Sequence, residues 1–597
     1  MNFITSMANK MKKLKIIFLI ILLAQGAFGT IRYVSKTGSS NPPYLTWETA
    51  SDSIQKCINI CVDGDTLIVA NGVYKETLII NTAITLLGSS MDSCVIDGTG
   101  LDLLSERTIE VRAQFKIEGF TIWSPNSQAG YKCIHINYVN ANLSEVINCR
   151  LLNGVLESSF NTNLKAKNLI VQRNKGYGIF TYGENLVVEN CVILMDSDSD
   201  IKKGILSNSR NVRITNNILI SEQPGNNYSQ GRGIELESMK MAYISNNIIA
   251  NFWGNIKVYR ISPGDSGEIS NNLSCYNYYD GSLTGITTWN SFKTYNNILY
   301  KVDAGINGHG EDIPGGNNLF WGNKIDASNG YVIKETDIIA DPMFVKDTMP
   351  TSSLGFDFHL QAFSPAIDAG DPTVLDVDGT RSDIGPYGGP YGEEYTYQDL
   401  APRKPYGIVP AINEREVTIK WRKNSEADTS HYVVYRDTVS NFPIDSLHVY
   451  RTQKDTLFQD IIQQTTTRIY YRIQAADKQG NKSDASEEIV FVLSDAGDYK
   501  TDGAFDYHLY QNYPNPFNPG TVIGYQLAAD SYVKIMVYDI KGELLEVLVN
   551  EHKPAGYNEV EFNGSKYASG IYLCRIEVID DSGIPRFMNM RKMVLIK

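Results

Sequence analysis

The sequence predicts an all-β protein, a right-handed parallel β-helix followed by two small β-sandwich domains. Three observations predict it. A phrase recurs through the middle of the chain: a Gly-Ile start, an irregular stretch, then Ile-x-Asn-Asn followed by Ile or Leu. Gly204-Ile205 leads to Ile214-Thr215-Asn216-Asn217-Ile218, and Gly233-Ile234 leads to Ile244-Ser245-Asn246-Asn247-Ile248. Gly285-Ile286 and Gly305-Ile306 open later copies. The Asn-Asn pairs advance by only about 20 to 30 residues, the period of a stacked solenoid. Coils this short leave no room for a helix each, so their strands pair in parallel from turn to turn. After Gly392 the pattern changes to period-two strands between polar turns, as around Tyr432-Val433-Val434-Tyr435.

Taken in order, the chain opens with Lys10, Lys12, Lys13 and Lys15, an apolar run from Ile16 to Ala24, and Ala27-Phe28-Gly29. A basic region, a short apolar core and small residues before a cut site predict a signal peptide over residues 1–29. No later stretch reaches bilayer-spanning length, so no transmembrane helix is expected. Between Trp47 and Cys61, the spacing of Ile54, Cys57, Ile58 and Cys61 predicts a short amphipathic helix capping the open end of the solenoid. Residues 30–395 are assigned to the β-helix with this cap. The Asn-Asn pairs are expected at one turn, each side-chain amide bonding the amides above and below it. Eight cysteines in 597 residues do not make a disulfide framework and read as buried thiols. The net charge of −13 argues against nucleic acid or anionic lipid as the main partner.

Several motifs carry resemblances. Tyr33-Val34-Ser35-Lys36-Thr37-Gly38, Asp63-Gly64-Asp65-Thr66 and Ile96-Asp97-Gly98 resemble the opening of secreted pectate-lyase-like right-handed β-helix proteins. Asp341-Pro342-Met343-Phe344, Phe358-His359-Leu360 and Ser364-Pro365-Ala366-Ile367-Asp368-Ala369-Gly370 are similar to the closing segment of that superfamily. Residues 396–495 resemble a fibronectin type III module, with Trp421 on an early strand and Tyr470 or Tyr471 as the corner tyrosine. Residues 496–597, with Tyr513-Pro514-Asn515-Pro516-Phe517-Asn518-Pro519 and a terminal Lys592-Met593-Val594-Leu595-Ile596-Lys597, resemble the type A sorting domain of the type IX secretion system. That resemblance implies export to the cell surface or outside, with the secretion machinery as a partner.

Taking each Ile of the Gly-Ile pairs as inward, residues one and three positions later face outward. The outward pairs, coil by coil, are Phe180/Tyr182, Leu206/Asn208, Glu235/Glu237, Lys257/Tyr259, Thr287/Trp289 and Asn307/His309. Aromatic side chains on a long groove suit sugar rings, so Tyr182, Trp289, His309 and Asn307 are candidate polysaccharide contacts. Asn208, Glu235 and Glu237 offer three oxygen donors on neighbouring coils, the ligand chemistry of calcium. With the basic residues after them they resemble the alginate lyase and chondroitinase B family of β-helix lyases. There, the resemblance implies, calcium neutralises a uronate carboxylate while a lysine takes the C5 proton and an arginine acts as acid. Lys257 faces the groove by register, and Lys240 follows Glu237 two residues earlier than the family's lysine. Arg260 is the nearby arginine, but Tyr259 occupies the outward position and can also carry a proton. The alternative at this cluster is an ordinary ion pair of Glu235 with Lys257. The expected function is therefore a secreted, monomeric surface protein that binds or cleaves polysaccharide, a calcium-assisted lyase or a non-catalytic adhesin.

Overall fold

The computed structural model describes residues 29–596 apart from 102–105, 127–129, 139–141, 175, 197–201, 223–230, 260–263, 278–283, 352–354, 414, 464–467, 494–498, 503–506, 511, 513–514, 528–530, 541–542, 554–555 and 580–584. Residues 1–28 of the predicted signal peptide, and Arg260, lie outside the described residues. Two compact units are present, residues 1–398 and 399–597.

The first unit is a parallel β-helix with three strand faces. The first face stacks Lys202–Ser207, Arg232–Leu236, Gly254–Val258, Thr284–Trp289 and Ala304–His309. The second stacks Asn211–Thr215, Met241–Ser245, Ser266–Ser270 and Phe292–Tyr295. The third is a 12-stranded parallel sheet that includes Ile218–Ser221, Ile248–Ala250, Leu273–Asn277 and Ile298–Val302. Inside, Ile205, Ile234, Ile256, Ile286 and Ile306 pair in one ladder, each fully shielded from solvent.

The glycine of each Gly-Ile pair has a steric cause. A Cβ on Gly204 would meet Leu219 Cδ2 at 2.7 Å and the Gly233 carbonyl oxygen at 2.6 Å; on Gly233 it would meet Ile249 Cγ2 at 2.3 Å. Leu219 and Ile249 belong to the inner core, so the glycine and the isoleucine after it both face inward. Two successive inward residues break the alternation of the strand, as at a bulge.

The Asn-Asn pairs do two jobs at the corner between the second and third faces. The first Asn of each pair takes the left-handed conformation, φ 57° at Asn216, 58° at Asn246, 52° at Asn271 and 56° at Asn296, which asparagine tolerates. The second forms a buried ladder, Asn217 to Asn247 at 2.9 Å, Asn247 to Asn272 at 2.9 Å, Asn272 to Asn297 at 3.0 Å and Asn297 to Asn318 at 3.0 Å. The left-handed Asn residues also donate to the closing segment: Asn246 to the carbonyls of Pro386 and Gly388, Asn271 to that of Asp383, and Asn317 to that of Ala369. That segment lays Phe344, Phe358, Leu360, Ala366 and Ile384 over the outer side of the third face, on Ile220, Ala250, Cys275 and Tyr300.

The capping helix is shorter than its spacing predicts, Ile54–Ile58. Ser51 exchanges backbone hydrogen bonds with Tyr33 and Ser35, which keeps the chain extended up to the N-cap Ser53. Glu76 then accepts from the amides of Ile54 and Gln55 in the first turn. The eight cysteines are free thiols, and all but the half-buried Cys61 are buried.

In the second unit, a three-stranded sheet (Val409–Asn413, Glu416–Lys420, Leu457–Ile461) and a five-stranded one enclose Trp421, Tyr432, Phe458 and Tyr471. Trp421 meets Tyr432 edge-on at 5.3 Å, and Tyr471 donates to Asp460 at 2.5 Å. The five-stranded sheet ends in Tyr499–Asp502, a strand that lies within the range expected for the last domain. A second pair of sheets follows, three strands around Gly520–Leu527 and four around Ser531–Tyr538 and Gly570–Ile579.

Candidate functional site: the first face of the β-helix

The ladder places Glu235 between Leu206 and Lys257, Lys257 beside Thr287, and Thr287 beside Asn307. The second predicted column is set by the amide of Asn208 on Thr181, that of Glu237 on Ser207 and that of Tyr259 on Leu236, with Trp289 opposite His309. From Phe180 to Asn307 the face climbs five ladder steps, about 24 Å at the spacing of paired strands.

A third outward column, beyond the two that alternation predicts, runs through Tyr177, Lys203, Arg232, Gly254, Thr284 and Ala304. Strict alternation back from the Ile would turn these side chains inward. The inward Gly before the Ile restores them to the outside, so Lys203 reaches across to Glu235. The steric demand at Gly204 and Gly233 is the signal that could have found them.

These columns bring together a compact charged centre. Glu235 is 4% exposed; Lys203 Nζ lies 2.6 Å from its Oε2, and the Tyr259 hydroxyl donates to its Oε1 at 3.3 Å. The ion-pair partner of Glu235 is thus Lys203 on the coil before it, which corrects the expected pairing with Lys257. Lys257 instead holds its ammonium 4.5 Å from the centre of the Tyr259 ring. Burial, then the nearby Arg232, holds the Lys257 pKa below the ordinary lysine value. Burial, then Glu235, pushes the Tyr259 phenol up. Arg232 is 8% exposed, with its guanidinium carbon 4.5 Å from the centre of the Trp253 ring. Lys240 is exposed at the corner toward the second face, its amide on the Arg210 carbonyl at 2.6 Å.

Aromatic platforms flank the centre. On one side Tyr182 meets Phe180 at 4.8 Å and Phe160 at 4.9 Å, and Phe180 stacks on Tyr177 at 4.9 Å. On the other, Trp289 stacks on His309 at 4.8 Å. Asn307 accepts from Ser328 Oγ at 3.3 Å and from Asn329 Nδ2, so its carbonyl is already committed.

The fit of a calcium ion is decided by the oxygens left over. Asn208 Oδ1 is buried with no partner among the described residues, which suits a cation or a hydroxyl donor. Glu235, however, has Lys203 on one oxygen and Tyr259 on the other. That leaves Asn208 and Glu237, two of the three expected donors, and one carboxylate to face a divalent cation. Lys203, Lys257 and Arg232 also outnumber the two carboxylates. The expected donor set does not fit the ion.

Further down the same column, His135 pairs with Glu110 and Glu157. Its Nε2 lies 3.2 Å from Ser159 Oγ. Burial, reinforced by Arg107 and Lys132, depresses it to about 4, so it is neutral at neutral pH.

Comparison with known proteins adds the destination of the chain. Residues 511–588 match the family model for a secretion system C-terminal sorting domain. The protein is accordingly one that is secreted or displayed at the outer-membrane cell surface. No helix of the described residues is long and apolar enough to cross a membrane. No curated protein matches the chain. Among solved structures, one described as the complex of XylC with xylose overlaps 49% of this chain and 75% of its own, at 11% identity and a TM-score of 0.32. A chitinase, ChiA74 from Bacillus thuringiensis, overlaps 34% of this chain and 30% of its own, at 11% identity and a TM-score of 0.15. The central fibronectin-III array of RIM-binding protein overlaps 33% and 69%, at 14% identity and a TM-score of 0.14. Overlaps this slight carry no argument about ligand.

Proposed function

We propose that this secreted surface protein binds a polysaccharide chain laid along the first face of its β-helix. The observation that carries the reading is the join of two aromatic platforms by a centre whose buried Asn208 Oδ1 lacks a partner among the described residues. Sugar rings stack on aromatic faces, and their hydroxyls supply the donors such an oxygen needs. A face about 24 Å long suits several linked sugars better than one. Trp289→Ala and Tyr182→Ala are each expected to weaken binding to a glycan panel by roughly tenfold, about 1.4 kcal/mol, as read by isothermal titration. Binding unchanged in both variants would sink the proposal.

Lys257 and Tyr259 favour a second reading, polysaccharide lyase. A lysine with lowered pKa stacked against a phenol offers a base and an acid at one place. In β-elimination the neutral Lys257 amine would take the proton at C5 of a uronate. The C5 electron pair would form the C4–C5 double bond as the C4–O bond breaks. The leaving oxygen would take the Tyr259 proton. On this reading, absorbance of unsaturated uronide accumulates with wild-type protein and stops in Lys257→Met while binding persists. No product from any uronate polymer leaves binding alone as the function.

A further inference from the structure

Arg232 is built into the face with unusual care. Its side chain lies over Gly254 of the next coil, where an added Cβ would meet its Cδ at 3.1 Å, Nε at 3.3 Å and Nη1 at 3.4 Å. The Trp253 ring packs on its guanidinium at 4.5 Å, and Nη1 donates to the Gly231 carbonyl at 3.1 Å. Gly254 and Trp253 thus hold a fixed cation that is 8% exposed. Its Nε is buried with no partner among the described residues. Buried guanidinium groups are ordinarily paired with an anion. The carboxylate three residues on, Glu235, already has Lys203 on Oε2 and Tyr259 on Oε1. Arg232 is therefore a buried cation one anion short, facing a groove where the Lys257 ammonium adds positive charge.

We infer that Arg232 is the subsite for the anionic substituent of an acidic polysaccharide, a carboxylate or a sulfate, bound without a divalent cation. The planar guanidinium suits both groups, since each offers two oxygens to a fork of N–H donors. This assignment rests on the polysaccharide reading above. It gives the task of charge neutralisation, which the lyase resemblance assigns to calcium, to residues of the chain itself.

Titration of the full chain with polygalacturonate, dextran sulfate and neutral galactan, each with and without EDTA, tests it. Wild-type protein is expected to bind one of the two anionic glycans at least tenfold tighter than galactan, with EDTA changing nothing. Which one binds tells carboxylate from sulfate. Arg232→Gln is expected to abolish that preference. Arg232→Lys, which keeps the charge and protects the fold, should recover part of it. Anion binding that EDTA removes, equal affinity for all three glycans, or a preference intact in both variants overturns the inference while leaving the groove. Binding to none of the three overturns the polysaccharide reading itself.

Discussion

His359 lies between two carboxylates of the closing segment, its Nδ1 2.6 Å from Asp357 Oδ1 and its Nε2 2.9 Å from Glu393 Oε1. The ring stacks on Tyr387 at 3.8 Å and meets Tyr395 edge-on. Burial alone would lower its pKa, but hydrogen bonds to Asp357 and Glu393 outweigh burial and raise it to about 9. The folded protein therefore holds this proton more tightly than the unfolded chain, whose ordinary histidine value is 6.5. The stabilisation is complete below pH 6.5 and is lost as pH rises through 9. Asp357, pulled down mainly by His359, stays ionised throughout that window. Thermal unfolding of wild-type protein should lose stability between those two pH values, and His359→Gln should flatten that slope. Parallel pH profiles for the two proteins would show that the clamp contributes nothing.

The asparagine ladder is the device that turns single coils into a stack. Asn272 accepts from the Asn247 amide and side chain and donates to Ile244, Ser270 and Asn297. Asn272→Ala strands several of these buried groups at once, each costing about 1–3 kcal/mol. A loss of roughly 3 kcal/mol in urea unfolding is expected, larger than for Asn318→Ala at the ladder's end, where Asp337 and Tyr331 stand nearby. Equal losses at both positions would mean that the ladder is not cooperative along the stack. This element was legible in the sequence because asparagine alone combines tolerance of left-handed turns with a side chain that both donates and accepts. The third column of the binding face was not. Its register depends on Gly204 and Gly233 turning inward, and what forces them is a contact with Leu219 and Ile249, which reach across the core from the third face of the same coil. Alternation counted from the isoleucine holds for Glu235 and Lys257 but fails across that glycine, so Lys203 and Arg232 went unassigned and Glu235 was matched with the wrong lysine. The capping helix fell short for a related reason, since the pairing of Ser51 with the first strand is a tertiary event that helical spacing does not record.

Over the whole molecule, the three faces of the β-helix divide the work, and the sequence of each face reflects its surroundings. The third face reads as short apolar runs, such as Ile218-Leu219-Ile220 and Ile248-Ile249-Ala250, because the closing segment covers its outer side and leaves it buried on both. The second face alternates charge with apolar residues, as in Lys165 and Lys167 bridged by Glu189 at 3.3 and 3.0 Å. Among the described residues, the first face brings aromatic rings together with polar atoms that lack a partner, Asn208 Oδ1 and Arg232 Nε, which is why the proposal places the ligand there. The destination of that face is set elsewhere, by the sorting domain in the second compact unit. Contacts that hold the β-helix core run among its own coils and closing segment, and residues 511–588 belong to the other compact unit. Deleting those residues should therefore keep the protein from the cell surface while the retained protein, once purified, binds glycan with wild-type affinity. Surface immunolabelling of intact cells and titration of the purified deletion protein measure the two properties separately. A deletion protein that still reaches the surface would deny the segment its sorting role, and one that reaches neither surface nor ligand would show that the fold of the groove depends on it.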